Sequence, residues 1–287
     1  MGMTSIPGWP RWCWLLICLW SSGAWGTCLG QRDAARVLRV EIVPQLPRTV
    51  TYAKWAPLLE QVGRSTGECF DLVIPDTIPA FERSLFQGKP DFGFANPYHE
   101  VMAWKRQGYR PLLIDGRLKL TGIVAVKNDS GIRHIRDLQD KVVAFPAPNA
   151  FAASLLIRAE LAKQGIRIQP RYVQTHANAY RAVAMGEAVA AGGVNNTLQR
   201  EEPVLRDSLR VLYETAGYAP HPFVVHPRIS ASTQKAVQMA FMALATHETG
   251  QKLLDDVQLS MPKPADYQRD FAPLERLRLD KFLMLDE

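Results

Sequence analysis

The chain has 287 residues, 47% hydrophobic and 22% charged, with a net charge of +6 and a pI near 9.2. That length allows one large or two medium cores, and the composition excludes a disordered or fibrous chain. Lysines and arginines are scattered rather than massed, which reads as a solvated basic surface and not a nucleic-acid interface.

The N-terminus opens with Arg11 and nine apolar residues to Trp20, followed by the polar stretch from Ser21. The run is too short for a hydrocarbon layer of ~30 Å. It suits a signal-peptide core, with Ala24 and Gly26 as the small residues before cleavage. Residues 1–26 are therefore expected to be a secretion signal; an uncleaved anchor and lipidation at Cys28 are the alternatives. Of four cysteines, Cys13 and Cys18 fall in the signal, and Cys28 and Cys69 remain to pair or stay as free thiols.

Past the signal, Val37–Val43 reads as a strand and Tyr52–Gly67 as a helix with Trp55, Leu58, Leu59 and Val62 on one face. "CFDLVI" is a second strand, "IPAFERSLFQG" a short helix, "DFGFANP" a third strand, and Tyr98–Gln107 a helix. Strands follow at "RPLLI", at Leu120–Lys127 and after "IRDLQD". A helix covers Ala150–Gln164, then come a strand at "RYVQT", a helix over Ala177–Met185 and the apolar "AVAAGGV". "LRVLYE", "HPFVVH" and a long helix with Val237, Phe241, Leu244 and Ala245 at helical spacing complete the pattern. The alternation predicts an α/β protein of two lobes, with parallel sheets covered on both faces and ligands bound beyond the strand carboxyl ends.

Three stretches carry the candidate chemistry. In "PAPNAFAAS", Asn149 is placed to cap a helix whose free N–H groups and dipole favour negative charge by about 0.3–1 kcal/mol. Phe151 then lies either in the core or at a cleft. In "FANPYHE", Asn96-Pro97 turns the chain at a strand end, and Tyr98 and His99 either meet a ligand or complete a capped turn. Asn195 and Asn196 end a strand as cleft amides or as a plain turn. Hydrolase, metalloprotease and nucleotide-binding signatures are absent, and His221 and His226, five apart around Pro222 and Pro227, are not a helical metal pair.

In order along the chain, "LRVEIVP" with "WAPLLEQVGRSTG", "GKPDFGFANPYHEVMAW", "TGIVAVKNDSGIRHIRDLQDKVVAF", "THANAYRAVAMGEAVAAGGV" and "TGQKLLDDV" with "ADYQ" resemble segments of the phosphate/phosphite/phosphonate transporter substrate-binding proteins. The resemblance implies the two-lobed type II periplasmic binding protein fold with two crossover strands. Lobe 1 would span 37–120 plus 215–287 and lobe 2 would span 121–214. It implies a periplasmic, monomeric protein that closes on a small-molecule ligand, needs no cofactor or metal, and meets an ABC permease in the inner membrane. A sensor-kinase subunit is the alternative, and an enzyme on the same fold the third reading. Thr121 on the crossover strand, His176 before its helix, and Tyr52 with Arg48 in the loop after the first strand join Asn96, Tyr98, His99, Asn149, Ala150, Phe151 and Asn195 as ligand-side candidates. The chain departs from the family's Ser-Thr-Ser-Gly loop, having Ala150, Phe151, Ala152 and Ala153, and Val189 replaces an expected acid. A ligand more apolar or less charged than a phosphonate is the expectation.

Overall fold

The computed structural model describes residues 1–2, 28–117 and 119–284; the expected signal peptide lies outside the described residues, save its first two. The chain runs through β1 (Leu29–Gly30), β2 (Val37–Ile42), α1 (Arg48–Thr66), β3 (Cys69–Val73), α2 (Ile78–Phe86), β4 (Phe92–Phe94), α3 (Pro97–Gln107) and β5 (Arg110–Asp115). It then forms β6 (Gly122–Lys127), β7 (Val142–Phe145), a helix whose first turn is π-type (Phe151–Leu156) and which continues as α4 (Ile157–Lys163), β8 (Gln169–Tyr172), α5 (His176–Ala184) and β9 (Ala190–Val194). After α6 (Pro203–Arg206) come β10 (Leu209–Glu214), β11 (Phe223–Val225), α7 (Ala231–Leu244), α8 (Glu248–Asp256) and β12 (Pro262–Pro264). Short helical turns then run from Tyr267 to Phe282.

Two sheets result, one of seven strands in the order β1-β3-β2-β4-β11-β5-β12 and one of five in the order β10-β6-β9-β7-β8. Both are mixed, which corrects the expectation of parallel sheets. β2 runs parallel to β3 and β4, but β11 is antiparallel to β4 and β5; β7 is parallel to β8 and β9, but β6 is antiparallel to β9 and β10. The reason lies in the chain path. It leaves the first sheet once and returns once, so the returning strands enter against the direction of their neighbours. The two crossings run side by side, joined by Leu120 N–H to Tyr218 O at 2.9 Å and Tyr218 N–H to Leu120 O at 3.0 Å.

In the first lobe, Trp55, Leu58, Leu59 and Val62 of α1 are buried with Phe70, Phe92, Phe223 and Phe241. Burying each such side chain contributes about 1.5–3 kcal/mol. The second sheet is packed on both faces, by Tyr180 and Val183 of α5 in one cluster and Ile157 and Leu161 of α4 in another. Helix α1 starts at Arg48, one turn earlier than expected, because Pro47 ends the loop and fixes the backbone entering the helix. Strand β8 begins two residues before "RYVQT", on the edge of its sheet beside β7.

Cys28 and Cys69 are bonded, with Cα atoms 5.4 Å apart, and tie the first segment to β3. On the chain-entropy account, closing a loop of that length stabilises the fold by about 4 kcal/mol. Among the described residues, no helix is long and apolar enough to cross a membrane.

Candidate functional site

Strands β2, β3, β4, β7, β8 and β9 direct their carboxyl ends toward the seam between the lobes, the place where open α/β sheets bind ligands. There they enclose a chamber of about 20 Å³, room for one water molecule. The first lobe contributes Val43, Gln45, Ile78, Asn96 and His221; the second contributes Ala150 to Ala153, His176 and Val194.

The second lobe's wall is a helix start. Ala150 holds the N-cap position in extended conformation with no side-chain cap. The first helical N–H to find a carbonyl is that of Ser154, which donates to Ala150 O at 2.8 Å, and Leu155 N–H donates to the same oxygen at 3.1 Å. The N–H groups of Phe151, Ala152 and Ala153 therefore have no helical acceptor. Widening the first turn to π geometry places this start over the strand tips, and two glycines make the seat. A Cβ on Gly122 would lie 2.2 Å from Ala152 O, and one on Gly192 would lie 2.1 Å from Ala153 O. The run Pro146 to Asn149 predicted a helix start here; the paired glycines are what let it lie so close.

Asn149 corrects the expectation of a helix cap. Its amide N–H groups go to Glu82 Oε2 at 2.9 Å and Met284 O at 2.9 Å, and its Oδ1 accepts from Met284 N–H at 3.0 Å. A buried carboxylate is the stronger acceptor, so Asn149 is drawn away and the helix start stays bare. Arg158 holds the same C-terminal strap by donating to Phe282 O at 2.7 Å and Pro148 O at 2.6 Å.

Among the described residues, no Lys, Arg, Asp or Glu lines the chamber. Burial pushes His176 down to about 4, and burial, reinforced by the nearby His99 and His176 charges, pushes His221 to about 3. Both rings are neutral at pH 7. His221 Nε2 accepts from the Gln45 amide at 2.6 Å while its ring stacks on Phe94 at 5.5 Å. His176, 7% exposed, has no partner at Nδ1.

Of the sequence candidates, Asn96, Ala150, Phe151 and His176 meet at the chamber. Phe151 is both core and wall: it stacks on Tyr98 across the seam, centroids 6.5 Å apart and planes at 4°, with Tyr218 of the second crossing edge-on at 5.8 Å. Tyr98 thus supports the wall from behind, and His99 donates to Glu82 at 2.8 Å as part of the buried chain behind it. Thr121 and Asn195 lie beside the crossings, the first donating to Glu214 and the second to Lys119 O at 3.1 Å. Tyr52 does not join the site. The earlier start of α1 carries it past the loop, and it is 36% exposed on that helix. Arg48 is likewise on α1, bonded to Ile74 O and paired with Asp76 at 3.2 Å.

Sequence reasoning missed Gln45, Ile78 and His221 as chamber residues. Their common signal was available: Gln45 and Ile78 follow prolines or precede them at strand ends, and His221 sits between Pro220 and Pro222 on the returning crossover.

No curated protein matches the chain by sequence. Among solved structures, a binding protein component of an ABC phosphonate transporter from Pseudomonas aeruginosa superposes with a TM-score of 0.76 at 17% identity, covering 85% of this chain and 86% of that one. PhnD1 from Prochlorococcus marinus, in complex with methylphosphonate, gives 0.76 at 13% identity, covering 85% and 98%. A Xanthomonas citri protein bound to ATP gives 0.67 at 17% identity, covering 86% and 99%. The sequence model of the phosphonate ABC transporter periplasmic substrate-binding proteins matches residues 40–271, and the chain belongs to that family.

Proposed function

We propose that the protein captures a small organic anion carrying a single negative charge in the seam between its lobes and delivers it to an ABC permease. The observation that carries this reading is the bare helix start: Phe151, Ala152 and Ala153, whose N–H groups have no acceptor among the described residues, line the chamber together with His176, whose buried Nδ1 also has no partner there. A helix start supplies roughly half a positive charge. With no Lys or Arg among the described residues of the chamber wall, that matches one negative charge and leaves a second uncompensated, at a desolvation penalty of several kcal/mol. Phosphonates enter as candidates through the family and the methylphosphonate complex of PhnD1, in a singly charged form. Because residues from both lobes line the chamber, a ligand there favours the closed arrangement over the open one. Export through the N-terminal signal to the periplasm completes the reading.

Titration calorimetry with methylphosphonate and sulfate at pH 7, in buffers of different ionisation enthalpy, tests it. Methylphosphonate is expected to bind as its monoanion, with net uptake of the proton that its dianionic fraction lacks, and sulfate, a fixed dianion at this pH, at least tenfold more weakly. Sulfate binding as tightly as methylphosphonate, with no proton taken up, contradicts a site built for one charge.

A further inference from the structure

Beside the small chamber lies a much larger groove of about 400 Å³, also lined by both lobes. Four loops form it, each at the carboxyl end of a strand: β2 and β3 in the first lobe, β7 and β8 in the second. Six prolines, Pro44, Pro47, Pro75, Pro79, Pro146 and Pro148, are among the residues of its wall. Their rings are apolar and their backbones are fixed before anything binds, so little ordering entropy is lost on contact. Ile78 lines both the groove and the chamber. Helices α1, α2 and α5 begin on the wall, at Arg48, Ile78 and just after Thr175, which turns three positive helix ends toward it. Arg48, Arg83 and Asp76 also line it. Tyr172 completes the second-lobe side, its ring 5.9 Å from the Arg158 guanidinium and its Oη buried without a partner.

We propose that this groove is a second subsite for the same ligand: it takes an apolar alkyl or aryl substituent of several carbons, carried by an anion whose charged head meets the bare helix start. The inference rests on the anion-binding reading above. The volumes decide where a substituent goes, since the chamber has room for a single head-group oxygen and the groove is of the size small-molecule sites use. The apolar, proline-walled surface favours hydrocarbon, and the positive helix ends keep the neighbourhood of the head favourable for an anion. An occupant would touch all four loops and so hold the two lobes together.

The test is a homologous series of alkylphosphonates from methyl to hexyl, with phenylphosphonate, titrated at one pH so that the head stays constant. For the wild-type chain, affinity is expected to rise roughly two- to fourfold per methylene up to about four carbons, the range between half and full burial of each group. Tyr172→Ser and Ile78→Asp should flatten that slope while leaving methylphosphonate affinity within about threefold for Tyr172→Ser. Methylphosphonate binding with a flat or falling slope overturns the groove proposal and leaves the anion site standing. No binding by any member, methylphosphonate included, overturns the anion reading itself and the groove with it. The wild-type slope is decisive even if a variant fails to fold.

Discussion

Two helix starts face each other across the seam, and they are finished in opposite ways. In the first lobe, α3 is closed by its own residues: Asn96 Oδ1 accepts from His99 N–H at 2.8 Å, and His99 Nδ1 accepts from Asn96 N–H at 3.4 Å. In the second lobe, Ala150 offers nothing to the N–H groups of Phe151, Ala152 and Ala153, and the neighbouring Asn149 is held elsewhere by Glu82. A helix end inside a protein needs partners for its first N–H groups, so the contrast separates a structural end from a receptive one. With Ala150, Phe151, Ala152 and Ala153 at this start, the proposed grip consists of backbone donors. Backbone donors read charge and position but discriminate little between oxyanion heads.

The largest effect is expected where the bare start meets the sheet. A side chain on Gly192 would collide with Ala153 O and also stand 2.4 Å from the Phe145 ring. Gly192→Val should destabilise the protein by more than about 3 kcal/mol in urea unfolding and remove measurable anion binding. Next in size, Cys69→Ala should lower stability by about 2–4 kcal/mol with ligand affinity unchanged, since Cys69 lies at the amino end of β3, opposite the carboxyl end that faces the ligand.

Exchanging the finish of the two helix starts is a sharper test. Ala150→Asp supplies the missing cap and a negative charge, so thermal unfolding should show a gain of about 0.5–1 kcal/mol while anion affinity falls at least tenfold. Asn96→Ala should go the other way in stability, losing about 1–2 kcal/mol as the α3 cap opens. A stabilised Ala150→Asp variant that binds anions as before would contradict the assignment of the bare N–H groups.

A further effect concerns pH. His176 and His221 are held below the ordinary histidine value in the folded protein, at about 4 and about 3, while the unfolded chain has the ordinary value near 6.5. Between those limits the unfolded chain binds more protons, so stability is fully present above about pH 6.5 and is lost as pH falls toward 4. His176→Gln should shallow that decline in a melting-temperature series from pH 7 to pH 4.5.

Much of the fold was legible because helix and strand periods are local. The buried stripe of Trp55, Leu58, Leu59 and Val62 was visible in α1, and the two-lobed type II architecture with its crossovers followed from the order of the resembling segments. What was not legible depended on partners far away in the chain. Asn149 looked like a cap because Glu82, 67 residues distant, could not be seen to compete for it. The antiparallel strands depended on where the chain returns, which periodicity does not encode. Tyr52 was placed in a loop because the apolar repeat begins there, although Pro47 starts the helix a turn earlier. His221 came to the chamber from the second crossing, 45 residues after His176, and no local pattern joins them.

The most direct measurement follows the amide resonances of a protein labelled with nitrogen-15 in alanine and phenylalanine as methylphosphonate is added. The account predicts saturable downfield proton shifts at Phe151, Ala152 and Ala153, larger than at any other labelled amide. Saturable binding that leaves those three amides unmoved would contradict it.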